Sequence, residues 1–245
     1  MSTNIRFENP ADGLNNWPNR KRHLSSVVTH CHPDLIGSQE GRQKQLKEFE
    51  KQLRHYQIID SHRPWIVERM YPTIFSNNRF QCKESGDIWL SKTPYLPGSK
   101  DFESAFPRLA TYALLSDSNF EFIYINLHLD HERDTTRKAQ IKVLIDQIAL
   151  KWENIPMVIG GDFNQSANGE VKKLLISHFP SLYDPWKWPE ETTYHKFQGH
   201  LLTGSRIDWF VVDKTFKTLE YKILKDNNKG QYPSDHFPIQ ITLEV

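Results

Sequence analysis

The sequence lacks several features that would assign it at once to a class of protein. It has only two cysteines, Cys31 and Cys82, which are far apart and without CxxC spacing. This excludes a disulfide framework and argues against a zinc site. No apolar run reaches the length of a membrane span, and residues 1–20 lack the apolar core of a signal peptide. We therefore expect a cytoplasmic protein.

An excess of one charge is also missing, because 31 Lys and Arg residues balance 30 Asp and Glu residues, for a formal charge of +1. Proteins that grip long duplexes non-specifically usually carry a clear basic excess. The balance weakens that function but leaves nucleic acid open, since a local basic patch would be hidden in the total. No repeat, low-complexity tract or long linker is present, and 245 residues suit one large domain, here predicted to span residues 1–245.

Apolar periodicity predicts three helices and several short strands. The helical stripes are Leu24, Val27, Val28 and Cys31; Leu46, Phe49 and Leu53; and Ile141, Leu144, Ile145 and Ile148. The predicted strands are Leu35–Ser38, Leu109–Leu115, Phe122–Leu129, Met157–Ile159, Ile207–Val212, Leu219–Leu224 and Phe237–Val245. Residues 60–108 are predicted to form loops with short strands. Many strands and few helices favour an α/β (α+β) fold of two packed β-sheets flanked by helices.

Polar residues that can bind a metal repeatedly lie where an apolar run ends or within one. These residues are Gln39-Glu40, His128, Asp162-Phe163-Asn164, Asp208 and Ser234-Asp235-His236. Charged residues beside core strands cost desolvation energy unless they are paired or bound to a metal. Five such places predict that the strand ends converge on one polar site.

The residue types at these places favour chemistry at phosphorus. Carboxylate and amide oxygens suit Mg²⁺ or Mn²⁺, whereas the sequence has no Cys/His cluster that favours zinc. Two histidines beside carboxylates offer a general acid and a general base. In-line displacement at a phosphate ester needs this combination, because charge on the non-bridging oxygens must be neutralised.

The same residues, in this order, resemble the signature of the endonuclease/exonuclease/phosphatase superfamily. The matching segments are Asn4-Ile5-Arg6, Gln39-Glu40, Asn126-Leu127-His128-Leu129, Gly161-Asp162-Phe163-Asn164, Arg206-Ile207-Asp208-Trp209 and Ser234-Asp235-His236. This group contains DNase I-like nucleases, nocturnin-like enzymes and inositol-polyphosphate phosphatases. The resemblance implies a four-layer DNase I-like sandwich and a divalent-metal-dependent phosphoesterase. The family's first strand usually has several apolar residues before the Asn, so the strand at Asn4 is either shortened or begins upstream.

The resemblance also implies a role for each residue. Glu40 is expected to be the principal ligand of Mg²⁺, for which Mn²⁺ could substitute, with Asn4 and Asp235 near the same ion. His236 resembles the base-side histidine, and Asp208 resembles the carboxylate that orients it.

Asp162 and Asn164 resemble the pair that positions the attacking water and the scissile phosphate. His128 resembles the histidine that stabilises the phosphate or protonates the leaving group. Two looser local patterns place Glu68 as the carboxylate partner of His128 and Arg108 as a phosphate-binding residue.

Taken singly, most of these residues have an ordinary structural explanation. Glu40 could begin a helix, His128 could be a satisfied core histidine, and Asp162 and Asn164 are good turn residues. Asp208 is harder to explain, because Asp is disfavoured in strands. The joint occurrence in family order favours the functional interpretation.

The substrate stays open between several classes. A nucleic-acid phosphodiester, single-stranded or short, is the first expectation, and a small-molecule, nucleotide or lipid phosphoester is the alternative. Trp186-Lys187-Trp188-Pro189 and Tyr194-His195-Lys196-Phe197 could stack bases or could simply pack. A catalytically silent domain that binds a phosphorylated or protein partner is a further alternative, which metal titration would separate from an enzyme.

Overall fold

Two six-stranded sheets and four α-helices form the chain, for which a computed structural model describes residues 1–117, 120–200 and 204–245. The helices are α1 (Trp17–Cys31), α2 (Gln43–Gln52), α3 (Asp134–Lys151) and α4 (Glu170–His178), and a 3-10 helix spans Pro10–Asn15. The strands are β1 (Ser2–Asn4), β2 (Leu35–Arg42), β3 (Gln57–Ile58), β4 (Met70–Ser76), β5 (Gln81–Trp89), β6 (Leu109–Asp117), β7 (Phe120–His128), β8 (Met157–Asp162), β9 (Leu182–Tyr183), β10 (Asp208–Asp213), β11 (Lys217–Ile223) and β12 (Ile239–Glu244). Within the described ranges, none of these helices is long and apolar enough to cross a membrane.

The two sheets are mixed and have their single parallel pairs at matching places. The first sheet has the order β11-β12-β1-β2-β4-β3, with β1 parallel to β2. The second has the order β5-β6-β7-β8-β10-β9, with β7 parallel to β8. Parallel neighbours have their carboxyl ends at the same edge of a sheet. Residues at the carboxyl ends of β1, β7 and β8 can therefore contribute to one site.

Three apolar clusters separate the four layers. One joins α1 and α2 to the first sheet through residues such as Trp17 and Phe49, and one joins α3 and α4 to the second sheet through residues such as Ile141 and Leu175. The third, which includes Phe210, lies between the sheets. This confirms the predicted fold class of two packed sheets flanked by helices.

Alternation along β7 decides which of its residues reach the site. Ile123, Ile125 and Leu127 pack in the helix-side cluster, whereas Phe122 and Tyr124 pack between the sheets. Side chains along a strand alternate between faces. His128, at the end of β7, therefore lies on the face toward the other sheet.

The helices with clear apolar stripes form where their periodicity predicts, and the stripes of α1, α2 and α3 are buried. Two long strands, β4 and β5, occupy the segment predicted to be mostly loop. The sequence argued against a strand at β4 because Pro72 has no N–H to donate to a neighbouring strand. Pairing of Ser38 with Thr73 and of Gly41 with Tyr71 leaves Pro72 opposite a bulge in β2, where the ladder does not need its N–H.

Candidate active site

Three of the predicted site residues are direct neighbours in the second sheet. His128 lies opposite Asp162 in the β7–β8 pair, and Asp162 lies opposite Asp208 in the β8–β10 pair. Gly161 allows the close approach, because its φ is 144° and a Cβ there would lie 2.1 Å from the carbonyl oxygen of Leu127. Register alone therefore brings one histidine and two carboxylates together.

Glu40 reaches the same place through a bulge of the first sheet. The pairing of β2 with β4 shifts between Ser38 and Gly41, and Glu40 has a left-handed backbone with φ of 67°. Its Oε1 accepts a hydrogen bond from Nδ2 of Asn4 at 3.1 Å, and its Oε2 accepts one from the amide of Phe7 at 3.1 Å. A left-handed non-glycine residue is uncommon and is retained where surrounding contacts hold it, so this bulge fixes the direction of the Glu40 carboxylate.

Asn4 links the two sheets. Besides the bond to Glu40, its Nδ2 donates to Oδ2 of Asp162 at 3.0 Å, and its Oδ1 accepts from the amide of Arg6 at 2.9 Å. The amide nitrogen of Asn4, and not its oxygen, therefore faces the carboxylates. In this orientation Asn4 positions Glu40 and Asp162, and direct ligation of an ion by Asn4 stays a prediction.

Asp208 and His236 form a buried pair. Nδ1 of His236 lies 2.8 Å from Oδ2 of Asp208, and its Nε2 lies 3.9 Å from Oδ2 of Asp162. Burial alone would lower the pKa of His236, but the charges of Asp208 and Asp162 raise that pKa well above its ordinary value. His236 is therefore held as a cation whose two N–H groups point toward carboxylates.

The second histidine has the opposite character. Burial and the charge of Arg108 lower the pKa of His128 well below its ordinary value. Nη1 of Arg108 donates to Nδ1 of His128 at 3.0 Å, so the neutral ring carries its proton on Nε2. That Nε2 lies 3.4 Å from Oδ2 of Asp162.

Two further predicted residues lie at the margin of this group. The amide of Asn164 donates to Oδ1 of Asp162 at 2.9 Å, and its side chain donates to the carbonyl of Leu129 at 3.0 Å. Oδ2 of Asp235 lies 3.9 Å from Nε of Arg6, and the negative charge of Glu40 contributes to raising the pKa of Asp235. Both residues therefore border the group.

The oxygen atoms at this edge fit a hard divalent cation. Carboxylate oxygens of Asp162 and Asp208 lie with a ring nitrogen of His236 within 4.8 Å of one another. As a cation, His236 has no free lone pair, so the carboxylate oxygens are the atoms that can bind an ion. Burial, together with the charge of Asp208, raises the pKa of Asp162 to about 7, and burial raises the pKa of Asp235. Oδ1 of Asp208 is buried without a hydrogen-bond partner among the described residues. A cation would stabilise ionised carboxylates in this arrangement, and oxygen ligands suit Mg²⁺ or Mn²⁺.

The expected pairing of Glu68 with His128 is not formed, and this is a correction to the sequence interpretation. Glu68 has φ of 60° and a side chain that is 72% exposed, and its Oε2 pairs with Arg42 at 2.8 Å. The Nδ1 atom of His128, where a carboxylate partner would bind, is already taken by Arg108. A guanidinium replaces the expected carboxylate, and its charge adds to burial in lowering the pKa of this histidine.

Sequence reasoning missed His131 and Arg20 at the site, and it left Tyr194 open between stacking on a base and simple packing. Nη2 of Arg108 donates to Nδ1 of His131 at 3.3 Å, and the ring of Tyr194 lies 4.9 Å from that of His236. Buried Arg20 donates to the carbonyls of Ile5 at 2.5 Å and Pro233 at 3.1 Å, which ties the first strand to the loop before His236. The run from His128 to His131 was the one available signal for His131; Arg20 and Tyr194 depend on tertiary contacts.

Comparison with known proteins agrees with this geometry. The model of the "Endonuclease/Exonuclease/phosphatase family" matches residues 1–236. No match was found among curated proteins. A mannosyl-6-phosphatase of Bacteroides thetaiotaomicron is 28% identical, covers 100% of this chain and 98% of its own, and has a TM-score of 0.89.

Two other solved structures show the breadth of the fold. A functionally unknown conserved protein from Enterococcus faecalis is 25% identical, with coverage of 99% and 98% and a TM-score of 0.90. TDP2 from D. rerio, complexed with single-strand DNA product, is 19% identical, with coverage of 100% and 97% and a TM-score of 0.76, and shares the fold. The match over nearly the whole sequence shows that this chain belongs to the endonuclease/exonuclease/phosphatase family.

Proposed function

We propose that this chain is a divalent-metal-dependent hydrolase of phosphate esters and that its substrate is a small phosphorylated molecule with a sugar-like alcohol. The observation that carries the proposal is the position of Asp162 between two histidines, one neutral and one cationic. Its Oδ2 lies 3.4 Å from Nε2 of neutral His128 and 3.9 Å from Nε2 of cationic His236. Environments that separate the charge states of like groups are typical of acid–base sites.

Asp162 is proposed to orient and deprotonate the attacking water. A carboxylate with a pKa of about 7 can accept a proton near neutral pH. Asn164 and Asn4 each donate a hydrogen bond to Asp162, which leaves the carboxylate fixed in direction. The charges of Asp162 and His236 shift each other's pKa, since His236 lowers that of Asp162 and Asp162 raises that of His236.

The two histidines are proposed to bind the phosphoryl oxygens. His236 can donate from Nε2 because Asp208 holds its other nitrogen. His128 can donate from Nε2 because Arg108 holds its Nδ1. Fixed donors aimed at oxygens that gain negative charge lower the barrier, since they need no reorganisation during the reaction.

Glu40 and Asp235, with the oxygens of Asp162 and Asp208 nearby, are the residues proposed to hold Mg²⁺ or Mn²⁺. When bound, such an ion supplies positive charge that neutralises the phosphoryl oxygens.

Two observations support a small substrate. The mannosyl-6-phosphatase aligns with this chain over almost the whole of both sequences. In addition, the chain carries 31 basic and 30 acidic residues, whereas proteins that bind long polyanions usually have a marked excess of basic residues.

A nucleic-acid phosphodiester is the second candidate. The ring of Tyr194 borders His236 at 4.9 Å, and the ammonium of exposed Lys196 lies 5.9 Å from the same ring. A ring and a cation beside a phosphate site can bind a base and its backbone.

The experiment is release of product from mannose 6-phosphate, bis(p-nitrophenyl) phosphate and a short single-stranded oligonucleotide, each with Mg²⁺, Mn²⁺ or EDTA. Asp162→Ala is compared with Asp146→Ala, which changes an exposed carboxylate on α3. We expect metal-dependent turnover that falls by at least about 100-fold in Asp162→Ala and is unchanged in the control.

Full turnover in EDTA, or in Asp162→Ala, would refute the proposed chemistry. Preference for the oligonucleotide, with a steep loss of rate as salt rises, would replace the small substrate with nucleic acid. If no ester is cleaved and Mn²⁺ does not bind, the chain is a silent binding domain.

A further inference from the structure

Phe106 is a large apolar side chain that is 46% exposed, although the fold buries most of its other rings. Its ring stacks on that of His131, with centroids 5.8 Å apart and an interplanar angle of 21°. The side chain of His131 is itself 45% exposed. The two stacked rings therefore present aromatic surface to solvent, and we call this pair the Phe106–His131 platform.

The platform is part of a well-anchored loop and not of a loose surface segment. Oδ2 of buried Asp130 accepts hydrogen bonds from Oγ of Ser104 at 3.1 Å and from the amide of Ala105 at 2.9 Å. Its Oδ1 accepts from the amides of Glu132 at 2.9 Å and Arg133 at 3.0 Å. One carboxylate thus fixes the chain just before Phe106 and just after His131.

Backbone strain in the same loop supports a functional reason for its shape. Phe102 and Glu103 are consecutive non-glycine residues with φ of 59° and 56°. Oγ1 of Thr136 donates to the carbonyl of Phe102 at 2.7 Å, which helps to hold this conformation. Left-handed residues persist where surrounding contacts over-determine them, and such strain clusters at functional sites.

The platform adjoins the phosphate-binding residues. The guanidinium carbon of Arg108 lies 5.8 Å from the centroid of Phe106, and its Nη2 donates to Nδ1 of His131. Arg108 is buried, and its Nε has no hydrogen-bond partner among the described residues. That nitrogen is itself buried, so Arg108 acts on a ligand through the charge of its guanidinium. A cation beside exposed aromatic surface fits a ligand that has an anion at one end and a ring at the other.

The polar edge of the platform indicates which kind of ligand ring it can bind. Nδ1 of His131 accepts from Arg108, so the neutral imidazole carries its proton on Nε2. That nitrogen lies 4.0 Å from Oε1 of Glu132, beyond hydrogen-bond distance, and can donate to a hydroxyl. A pyranose has an apolar C–H face that packs on an aromatic ring and hydroxyls at its edge.

We propose that the Phe106–His131 platform is a subsite that binds the ring of a hexose phosphate whose phosphate lies at Arg108 and His128. This inference rests on the proposed function and adds the residues that select the alcohol. Phe106 supplies the apolar face, and His131 supplies a donor for a ring hydroxyl. An ester with the same primary phosphate but no ring would use Arg108 and His128 alone.

The test compares mannose 6-phosphate with glycerol 3-phosphate, which is also a primary phosphate ester but has no ring. Turnover and calorimetric binding of both esters are measured for the wild type, Phe106→Ala, Phe106→Trp and Leu150→Ala, which removes an 80% exposed side chain on α3. We expect Phe106→Ala to lose about tenfold in kcat/KM for the hexose ester, mainly through KM. Its kcat/KM for the glycerol ester should stay unchanged, and the other two variants should keep the preference of the wild type.

An unchanged ratio between the two esters in Phe106→Ala, in either turnover or binding, would overturn the subsite. If the wild type binds the hexose ester more tightly than the glycerol ester but cleaves neither, the subsite stands and the proposed function fails. If it cleaves both esters equally and Phe106→Ala does the same, the proposed function stands and the subsite fails. Tighter binding of both esters to Phe106→Ala would also overturn the subsite.

Discussion

Replacement of Asp130 by Asn tests whether one buried carboxylate holds the loop segments that carry Phe106 and His131. Asp130 is fully buried, and its two oxygens accept four hydrogen bonds from Ser104, Ala105, Glu132 and Arg133. A carboxamide has one oxygen and one NH₂ group, so two of the four donors would face another donor. Each hydrogen bond to a charged group contributes about 1.5–3 kcal/mol, and we therefore expect Asp130→Asn to lower the free energy of unfolding by about 3 kcal/mol.

The pH dependence of this loss has a definite sign. Burial would raise the pKa of Asp130, but the hydrogen bonds to the amides of Arg133, Ala105 and Glu132 lower it below its ordinary value. A carboxyl group with a depressed folded-state pKa stabilises the protein above its unfolded pKa of about 3.9. That stabilisation is lost as pH falls through the folded pKa. The difference between wild type and Asp130→Asn should be constant from neutral pH to about pH 5 and should shrink below about pH 4.

The assay is urea denaturation at several pH values, with phosphoester turnover measured on the same preparations. Asp146→Asn serves as the matched control, because it makes the same change at an exposed position on α3. Turnover by Asp130→Asn should fall by about 10- to 100-fold while the variant is still folded, since Arg108 and Phe106 are displaced. Stability equal to that of the wild type, or a difference that grows as pH falls, would refute the reasoning.

Three further predictions concern other parts of the structure. His236→Ala and Asp208→Asn should each lower kcat by about 100-fold or more. Because the two residues act as a unit, the double variant should have the same kcat as His236→Ala, and additive losses in kcat would contradict this. Asp87→Ala should lower the free energy of unfolding by about 3–5 kcal/mol, because it leaves buried Arg63 without the carboxylate that it binds through two hydrogen bonds of 2.8 Å. A loss below about 1 kcal/mol in a denaturant titration, which is typical of a surface ion pair, would contradict this prediction. Gly161→Ala should destabilise by about 1–3 kcal/mol, since its Cβ would lie 2.1 Å from a carbonyl oxygen of the neighbouring strand; a circular-dichroism melt equal to that of the wild type would show that the strands can separate.

Much of the fold could be predicted from the sequence, because the buried elements carry periodic apolar residues. The elements that periodicity missed have physical reasons. Strand β5 lies at the edge of its sheet, and Lys83 and Glu84 in its first half are polar, so no alternation marks it. Helix α4 has only Val171 and Leu175 fully buried, which is a short stripe. Pro72 argues against a strand unless the bulge opposite it is known.

The site likewise contains residues that the sequence could predict and residues that it could not. Residues at strand ends, such as Asp162 and Asp208, could be predicted because register and family order place them together. Glu68 could not be placed by a local pattern, because its left-handed backbone and its ion pair with Arg42 depend on tertiary structure. His131 joins the site through its stack on Phe106 and its hydrogen bond from Arg108, and these contacts depend on tertiary structure.

The two histidines of the site show how partners that are remote in sequence give identical side chains different roles. Arg108 makes His128 neutral and fixes the ring nitrogen that carries its proton, whereas Asp208 makes His236 a cation. Arg108 lies on the same loop as Phe106, so the residue that sets the state of His128 and the residue proposed to contact the alcohol share one anchor. If Phe106 contacts the alcohol as proposed, its substitution changes the preferred alcohol and leaves the contacts between Arg108 and His128 intact.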